Sequence, residues 1–424
     1  MDSQENHADY IGRVILHVDL DSFFATAQQQ ANPGLRNKPV GIVKAKGRSC
    51  IIAASKEAKK YGVKTGSSVF EAKKLCPSII LVCAEFEKYE DITYRFIEIC
   101  QKYSPICEVF SLDECFIDIT DTEKLWGNAV SIALDIQKRL AGEIGDYLTC
   151  SVGISENRLL AKLASTQAKP DGIYYLDKKS IYAALDKADL TDVCGIGSGL
   201  YRRLISAGIG DFKTLRVCSL NFLYKYFGPF WSEHLYNLAR GIDNSEVIPS
   251  AKIPEAKSVG RTYTTHRNLY KKDEIEKLIR NLAEEAAEKA RKMQLAGRYV
   301  GLAIRGDEQS FYGHKTLRSY ISDGRTLFEI CRRIFNNWTG KYVRFCGVTL
   351  SMLAPSKYRI MPLFPQDRQR ENLTVAVDSI NSQFGDYTIF PAQLLGTEII
   401  RPEVTGFFGD KAYRLGKFYE RNST

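Results

Sequence analysis

The chain has 424 residues, of which 44% are hydrophobic and 26% are charged. This ordinary globular composition excludes disordered, collagen-like and coiled-coil classes, and the length predicts two to four domains of about 100–200 residues each. The first ten residues lack an apolar signal core, and no run of ~18 apolar residues predicts a membrane span. The eleven cysteines are irregularly spaced without a CxxC pair. We therefore expect a cytoplasmic protein with reduced thiols, no membrane partner and no structural zinc.

The positive charge of the chain is concentrated in one segment. Lysine and arginine number 59 against 50 acidic residues, and residues 256–355 alone contain 19 basic and 10 acidic residues. The other 324 residues contain 40 of each sign. A basic block of domain size predicts contact with a polyanion, although a well-solvated surface gives a similar, milder bias.

The first part of the chain alternates short apolar runs with helical patterns. The run at 13–20 predicts a buried strand that ends with acidic residues, and a helix follows from about 22 to 30. Residues 38–83 predict short strands at 40–43 and 50–54 and helices at 55–61 and 68–75. A long helix over 85–102 precedes a hairpin of 106–110 and 115–119, a helix over 126–143 and a strand over 148–154. This order lacks a strict βαβ rhythm and predicts an α+β fold.

The second part of the chain begins with short helices separated by glycines, over residues 171–245. Pro249 and Pro254 then mark a domain boundary. The basic block predicts a strand, a helix over 273–294, two strands including 299–305, a helix over 326–336 and a strand over 343–350. We expect its helices on one face of a sheet, followed by a tail in which residues 370–384 form one helix.

Three carboxylates, Asp19, Asp113 and Glu114, are the candidates for chemistry. Asp19 ends the first predicted strand, and the other two lie at the tip of the predicted hairpin, where a turn lets neighbouring side chains point the same way. Carboxylates that converge at a sheet end repel one another unless a cation intervenes, and Mg²⁺ suits such an oxygen-rich site. Two such ions can hold an in-line phosphoryl transfer. Taken singly, each residue also fits an ordinary turn or cap position.

Several segments, in the same order along the chain, resemble the motifs of one family. They are HVDLDSFF at 17–24 with SLDE at 111–114, followed by VGISENR at 152–158, LAKLAS at 160–165 and AKPDG at 168–172. Together they resemble the palm motifs of Y-family translesion DNA polymerases, and the resemblance covers about residues 13–395. It is strongest to the DNA polymerase IV group.

The resemblance implies an α+β multidomain fold, a right-hand polymerase with palm, fingers, a helical thumb and an α/β little-finger domain. The implied bounds are 1–22 and 84–170 for the palm, 23–83 for the fingers, 171–245 for the thumb, 246–257 for a linker, 258–355 for the little finger and 356–424 for a tail. It also implies a template-directed polymerase of low fidelity, which synthesises past damaged DNA. Its substrates would be primer-template DNA and dNTPs, and its cofactor two Mg²⁺ ions.

The resemblance also implies roles for residues near the first strand. Asp19, Asp113 and Glu114 match the catalytic carboxylates that bind metal, with the Leu20 carbonyl as a further ligand. Phe24 matches the steric gate, an aromatic ring that excludes the 2′-hydroxyl of ribonucleotides.

Four further positions are compared with the family pattern. Lys162 matches the lysine that reaches the triphosphate. Lys59 stands where arginine is common and Lys56 where tyrosine is usual, so a triphosphate contact by either would depend on charge alone. Asp21 matches a position that is not a ligand, and we expect it to cap the following helix.

Contacts with DNA are expected from the thumb and the little finger. The segment DVCGIGSG at 192–199 resembles a helix–hairpin–helix turn, in which Gly195 and Gly197 would let backbone N–H groups approach a phosphate. A tight helix–helix turn gives the same pattern. Arg261 and Arg344 lie on segments that match strands running along DNA, and we expect both to contact phosphates.

The tail segment IMPLFP at 360–365 lies where bacterial polymerase IV proteins carry a motif that docks on the sliding clamp. Met361, Leu363 and Phe364 would fill an apolar pocket, but Ile360 stands where glutamine is expected. The same residues could instead pack the tail onto the body of the chain, so both interpretations stay open.

Two other functions are compatible with parts of the pattern. A palm-type nucleotidyl cyclase carries similar carboxylates but needs neither a glycine turn in a thumb nor a basic distal domain. A catalytically inactive DNA-binding or scaffold protein would be favoured by loss of a carboxylate, and all three are present.

Overall fold

A computed structural model describes residues 12–44, 49–249, 252, 256–358, 365–400 and 415. The chain divides into two compact units whose main segments are Met1–Ile253 and Pro254–Val404. This division falls inside the stretch 246–257 that the sequence predicts as a linker. Within the described ranges, no helix combines the length and apolarity needed to cross a membrane. The eleven cysteines are free thiols.

The first unit begins with the elements of the predicted palm and fingers. In chain order these are β1 (Ile15–Leu20), α1 (Phe23–Ala31), β2 (Val40–Val43), β3 (Ile51–Ala54), α2 (Lys56–Lys60), α3 (Val69–Leu75), β4 (Ile80–Cys83), α4 (Phe86–Gln101), β5 (Cys107–Val109), β6 (Glu114–Asp118), α5 (Glu123–Trp126), α6 (Ala129–Arg139), β7 (Cys150–Ser155), α7 (Arg158–Ala168) and β8 (Ile173–Tyr175). Helices of the predicted thumb follow: α8 (Ile181–Lys187), α9 (Ser198–Ser206), α10 (Phe212–Val217) and α11 (Leu220–Leu238).

A five-stranded sheet, in the order β5-β6-β1-β7-β8, forms the predicted palm. The central strand β1 is antiparallel to both β6 and β7, whereas β7 and β8 are parallel. Side chains alternate along a strand, so His17 and Asp19 share the face that packs on α7, and Leu16 and Val18 share the other. Five of the six β1 residues are buried, which explains why the sequence shows an apolar run rather than a polar–apolar alternation.

The predicted fingers and thumb have separate small cores. A three-stranded sheet, β3-β2-β4, packs with α2 and α3 around Val43, Ile51 and Ala58. The helices α8–α11 form a second core that includes Leu204 and Phe212, and Leu160 and Leu163 of α7 also pack in it. The fingers elements thus lie between β1 and the rest of the palm in sequence, and α1 leads directly out of the first catalytic motif.

The second unit is a four-stranded antiparallel sheet with two helices, followed by a tail helix. Its elements are β9 (Ser258–Leu269), α12 (Lys272–Lys292), β10 (Leu295–Gly306), β11 (Gln309–Ile321), α13 (Gly324–Phe335), β12 (Val343–Pro355) and α14 (Pro365–Phe384). The strand order is β11-β10-β12-β9. Apolar side chains from α12, α13 and the facing side of the sheet form one core.

The tail packs on the little-finger helix α12. Arg291 makes a bidentate ion pair with Asp378 of α14, at 2.6 and 2.7 Å. Asn281 of α12 donates to the Tyr387 hydroxyl at 2.8 Å and exchanges two hydrogen bonds with the Ile400 backbone. These contacts tie the described part of the tail to the second unit.

Two predicted helices have different bounds in the structure. The helix predicted over 126–143 is divided, because Gly127 adopts a φ of 105° and Asn128 starts a new helix by accepting from the Ser131 N–H. The helix predicted over 273–294 ends at Lys292, because Gln294 adopts a φ of 55° and the chain enters β10 at the next residue.

Candidate active site

The three predicted carboxylates lie at one end of the palm sheet. Asp19 and Glu114 are direct partners in the pairing of β1 with β6, and the Leu20 N–H donates to the Asp113 carbonyl at 2.8 Å. The Asp19 and Glu114 side chains are only 15% and 13% exposed. The sheet therefore brings together carboxylates that are about a hundred residues apart in sequence.

The electrostatics of the cluster favour a cation. Burial raises the pKa of Asp19, and the Asp113 charge adds to this while Lys169 opposes it. Burial also raises the pKa of Asp113, and the Glu114 charge adds to it. Like charges held together in a partly buried site disfavour ionisation, and a divalent cation relieves both effects. The three carboxylates and a backbone carbonyl are all oxygen donors, which fit Mg²⁺.

Two lysines contact the carboxylates directly. The Lys169 Nζ lies 2.6 Å from Asp19 Oδ1, and the Lys162 Nζ contacts Glu114 Oε2. Lys162, predicted as a triphosphate contact, thus lies on α7 beside the catalytic cluster. Lys169 received no role in the sequence analysis, although it belongs to the AKPDG segment. Its position in that segment was the signal that could have identified it.

His17 is a further neighbour of the carboxylates whose position the sequence did not predict. Its ring is fully buried, with Nε2 3.0 Å from Glu114 Oε2 and Nδ1 2.7 Å from Ser165 Oγ. Burial lowers the pKa of His17. Burial would by itself raise the pKa of Glu114, but the His17 hydrogen bond and the Lys162 ammonium hold it at about 2. A lone polar residue inside the apolar run of β1 was the available signal.

Donor atoms of His17, Asp19 and Glu114 lie within 4.8 Å of one another. A neutral histidine nitrogen is a common metal ligand. Here, however, both ring nitrogens of His17 are already within hydrogen-bonding distance of protein oxygens. The carboxylates therefore remain the candidate metal ligands.

The prediction that Asp21 caps α1 is wrong. The residue before α1 is Ser22, with a φ of 51°, and no side chain caps the helix. The Asp21 carboxylate instead accepts hydrogen bonds from the Thr149 hydroxyl at 2.8 Å, the Ser151 hydroxyl at 2.8 Å and the Asp171 N–H at 2.9 Å. It faces β7 and the AKPDG segment because it follows β1, which pairs with β7. Asp21 therefore links the first motif to the segment that carries Lys169.

Phe24, the predicted steric gate, is half-buried at the start of α1. Its ring stacks on Tyr89 of α4, with centroids 4.4 Å apart and planes inclined by 21°. Phe86 meets the Phe24 ring edge-on at 6.1 Å. The buried Tyr89 hydroxyl accepts from Gln28 at 3.0 Å. The predicted gate residue is thus packed against the rings of Tyr89 and Phe86, which the sequence did not identify.

Two of the three lysines of α2, Lys56 and Lys59, extend toward the first motif. Ser55 caps this helix by accepting from the Ala58 N–H. The Lys59 Nζ donates to the Ser22 hydroxyl at 2.8 Å, and burial lowers the Lys59 pKa. The Lys56 Nζ donates to the Thr149 hydroxyl at 2.9 Å and lies 4.0 Å from Asp21. Both cations are held on the palm side of the fingers.

Comparison with known proteins adds independent information to this geometry. The model of the impB/mucB/samB family matches residues 18–166, and that of the impB/mucB/samB family C-terminal domain matches residues 256–363. The DNA polymerase IV of Desulfatibacillum aliphaticivorans is 32% identical over 389 residues, which cover 90% of this chain and 97% of that protein. The chain belongs to the impB/mucB/samB family of Y-family DNA polymerases. The resemblance found in the sequence is thereby confirmed.

Other proteins are also similar to this chain over most of its length. DNA polymerase IV 2 of Bacillus subtilis is 31% identical over 420 residues, which cover 96% of this chain and 99% of that protein. A Y-family polymerase chimera of Dbh and Dpo4 has a TM-score of 0.70 and 26% identity, covering 81% of this chain and 99% of its own. DinB from Sulfolobus solfataricus has a TM-score of 0.52 and 26% identity, covering 80% and 98%. These similarities confirm the predicted multidomain α+β polymerase fold.

In the thumb of this Y-family chain, the two predicted glycines precede helix α9. Gly195 has a φ of 109°, and a Cβ there would lie 2.9 Å from His234 Nε2. Gly197 is the residue immediately before α9, and a Cβ at this position would meet no atom within 4 Å. The positive φ and the close approach to His234 therefore require glycine at position 195. At position 197 the surrounding space is open, so the backbone there is accessible.

The prediction that Arg261 contacts a DNA phosphate disagrees with its position. Arg261 pairs with Val348 on β12, so it lies on the sheet face that packs against α12. It is 8% exposed, and its Nε lies 2.9 Å from Glu285 Oε1 on that helix. A guanidinium buried against an internal carboxylate is not presented to DNA.

Arg344 and one further cation of the little finger are more accessible. Arg344 is half-buried, and its guanidinium lies 3.5 Å from the Thr265 hydroxyl. Arg305 is exposed on the face opposite the helices and lies over the Phe345 ring at 5.0 Å. Arg305 was not predicted as a DNA contact because it closes the largely apolar run predicted as a strand over 299–305.

The predicted clamp-binding residues Met361, Leu363 and Phe364 lie outside the described residues. The described helix α14 follows them and packs on α12 through Asp378 and Arg291.

Proposed function

We propose that this chain is a low-fidelity, template-directed DNA polymerase that extends a primer 3′-hydroxyl past damaged template, by nucleotidyl transfer with two Mg²⁺ ions. Family membership supplies the reaction class, DNA-directed DNA polymerisation. The observation that carries the mechanism is the placement of the three carboxylate residues at one end of the palm sheet. Donor atoms of Asp19 and Glu114 lie within 4.8 Å of each other, and the Asp113 backbone is hydrogen-bonded to β1 at the same end.

The carboxylates and the Leu20 carbonyl would hold the two ions. Bound Mg²⁺ lowers the pKa of the primer hydroxyl and neutralises charge on the triphosphate and the leaving pyrophosphate. The protein's part is to fix these oxygens in place, since Asp19 and Glu114 are partners in neighbouring strands and cannot separate without breaking the sheet.

The lysines and Phe24 would select and orient the nucleotide. Lys162 brings positive charge to the edge of the carboxylate cluster, and Lys59 brings it to Ser22 of the first motif. The phosphates would lie beside these two cations. Lys56 is held beside Asp21 and contributes charge from the same helix. The Phe24 ring, supported by Tyr89, would occupy the space that a 2′-hydroxyl needs.

DNA would be held by contacts that carry no sequence information. Backbone N–H groups at Gly195 and Gly197 would meet a phosphate at the start of α9, and Arg344 would meet another in the little finger. Arg305 extends this proposal because it is exposed on the helix-free face of the sheet.

Primer extension tests the proposal against both alternatives. We expect extension on undamaged template and past an abasic site with Mg²⁺, and none when EDTA replaces the metal. A scaffold protein would bind the same DNA without extending it under either condition. A nucleotidyl cyclase would form a cyclic nucleotide from ATP or GTP without DNA, and that product with no extension would contradict the proposal.

Clamp binding by Met361, Leu363 and Phe364 remains a prediction. A titration of the cognate sliding clamp should give weaker binding for the double variant Leu363→Ala/Phe364→Ala than for the intact chain, because two apolar anchors are lost. Leu373→Ala, an exposed change on α14, is the matched control. Equal clamp affinity and equal processivity on clamp-loaded DNA for the double variant and the intact chain would reject the motif.

A further inference from the structure

His17 is placed to control the orientation of one catalytic carboxylate. It lies on β1 two residues before Asp19, with 0% of its surface exposed. Its Nε2 is 3.0 Å from Glu114 Oε2, and its Nδ1 is 2.7 Å from Ser165 Oγ. The three residues come from β1, β6 and α7, so the contact joins the two catalytic strands to the helix that covers them.

The direction of the hydrogen bonds follows from the chemistry of the partners. An ionised carboxylate only accepts, so Nε2 must carry the proton that it donates to Glu114. Nδ1 of a neutral ring then has a lone pair and accepts the Ser165 hydroxyl proton. That hydroxyl also lies 2.9 Å from the Lys162 carbonyl, but this carbonyl has a second donor in the Thr166 hydroxyl at 3.0 Å. Ser165 can therefore serve His17 without leaving the Lys162 carbonyl unpaired.

Two hydrogen bonds hold the His17 ring in one orientation, and an aromatic side chain packs against it. Phe116, its direct partner on β6, lies 4.5 Å away between ring centroids at an angle of 50°. His17 and Lys162 both contact the Oε2 atom of Glu114. A carboxylate held through one oxygen by two donors has a fixed rotation, and the direction of its other oxygen is fixed with it.

We propose that His17, with its tautomer set by Ser165, is a positioning residue that orients the Glu114 carboxylate for metal binding and is not itself a metal ligand. The inference rests on the proposed function, because it assumes that Glu114 binds a divalent ion. Partners that orient a ligand typically change metal affinity by about 10–100-fold when removed.

The test measures Mn²⁺ binding to the full chain by electron paramagnetic resonance, without DNA or nucleotide. His17→Phe keeps a ring against Phe116 but removes both hydrogen bonds, and we expect about tenfold weaker Mn²⁺ binding. Ser165→Ala keeps the ring and removes the hydrogen bond to Nδ1, and we expect binding weaker by about 2- to 12-fold. His17→Gln restores a donor near the Nε2 position and should recover most of the His17→Phe loss. Thermal unfolding of each variant is recorded alongside.

Phe116→Leu is the matched control, because it disturbs the ring contact of His17 without removing either hydrogen bond. Its Mn²⁺ affinity should equal that of the unaltered chain. Unchanged affinity in both His17→Phe and Ser165→Ala would overturn the inference, as would a Phe116→Leu loss equal to that of His17→Phe. If His17→Phe does not fold, the comparison of Ser165→Ala with Phe116→Leu tests the inference. Failure of the unaltered chain to bind Mn²⁺ would instead contradict the proposed function.

Discussion

The stacking of Tyr89 on Phe24, the proposed steric gate, gives a graded prediction about sugar selection. Phe24 is held by the stacked Tyr89 ring at 4.4 Å and by the edge of Phe86. The 2′-hydroxyl of a ribonucleotide would be an extra group in this packed site, and inserting extra atoms into such a site costs about 1–3 kcal/mol. Phe24→Ala removes that cost and should reduce the preference for dNTP over rNTP by about 5- to 150-fold.

Removing the Tyr89 ring should lower the preference for dNTP over rNTP by less than removing the Phe24 ring does. An aromatic pair contributes about 0.5–1.5 kcal/mol beyond its buried area. Tyr89→Leu should therefore lower the preference for dNTP over rNTP by about 2- to 12-fold, because the Phe24 ring remains but can move aside. Tyr89→Phe retains the ring, loses only the hydrogen bond from Gln28, and should change the preference by less than about twofold.

The assay is single-nucleotide primer extension, with kcat/KM measured for a dNTP and the matching rNTP. The ratio of the two values removes any general loss of activity from the comparison. A ratio unchanged in Phe24→Ala would place the gate elsewhere. A Tyr89→Phe effect as large as that of Tyr89→Leu would refute the reasoning that ring stacking supports the gate.

Three further predictions concern charged residues, of which Asp21 and Arg261 lie in positions that differ from expectation. Asp21→Ala should destabilise the first unit by about 3 kcal/mol in urea unfolding, because three donors lose their buried acceptor; a change below about 1 kcal/mol would show that water replaces it. Arg344→Gln should flatten the log–log salt dependence of primer-template binding by about one unit. Arg261→Gln should leave that slope unchanged. It should destabilise the second unit, because the buried Glu285 carboxylate loses its ion-pair partner. A flattened slope in Arg261→Gln would restore the original interpretation of this arginine.

Most secondary structure elements were predictable because their signals are local. The apolar run before Asp19 and the polar tip at SLDE define strands by composition, and Ser55 and Ser68 mark helix starts that the structure confirms by their cap hydrogen bonds. The helix boundaries at Gly127 and Gln294 were missed. A glycine such as Gly127 can adopt either positive or negative φ, so the sequence does not show which one it takes. A positive φ at a glutamine such as Gln294 has no signal in the sequence.

The site was predictable only where a motif carried it. Asp19, Asp113 and Glu114 belong to recognisable segments, but the partners of His17 are 97 and 148 residues away and cannot be read from local pattern. Asp21 was interpreted from its nearest helix, whereas its partners lie on β7 and beyond.

Arg261 shows why charge alone does not identify a DNA contact. A basic residue on a strand reaches DNA only from the face that the helices leave uncovered, and Arg261 lies on the other face, against Glu285. An acidic residue on the apolar face of α12 was the signal for an internal ion pair.

The most direct test of the account is primer extension by Asp113→Asn compared with Asp118→Asn. Both make the same change on or beside β6, but Asp113 lies at the carboxylate cluster and Asp118 at the opposite end of the strand, paired with Arg13. The account predicts that Asp113→Asn abolishes Mg²⁺-dependent extension while primer-template binding stays within about twofold, because one ligand charge is lost with little change in volume. It predicts near-normal extension by Asp118→Asn. Normal extension by Asp113→Asn would contradict the assignment of the catalytic centre.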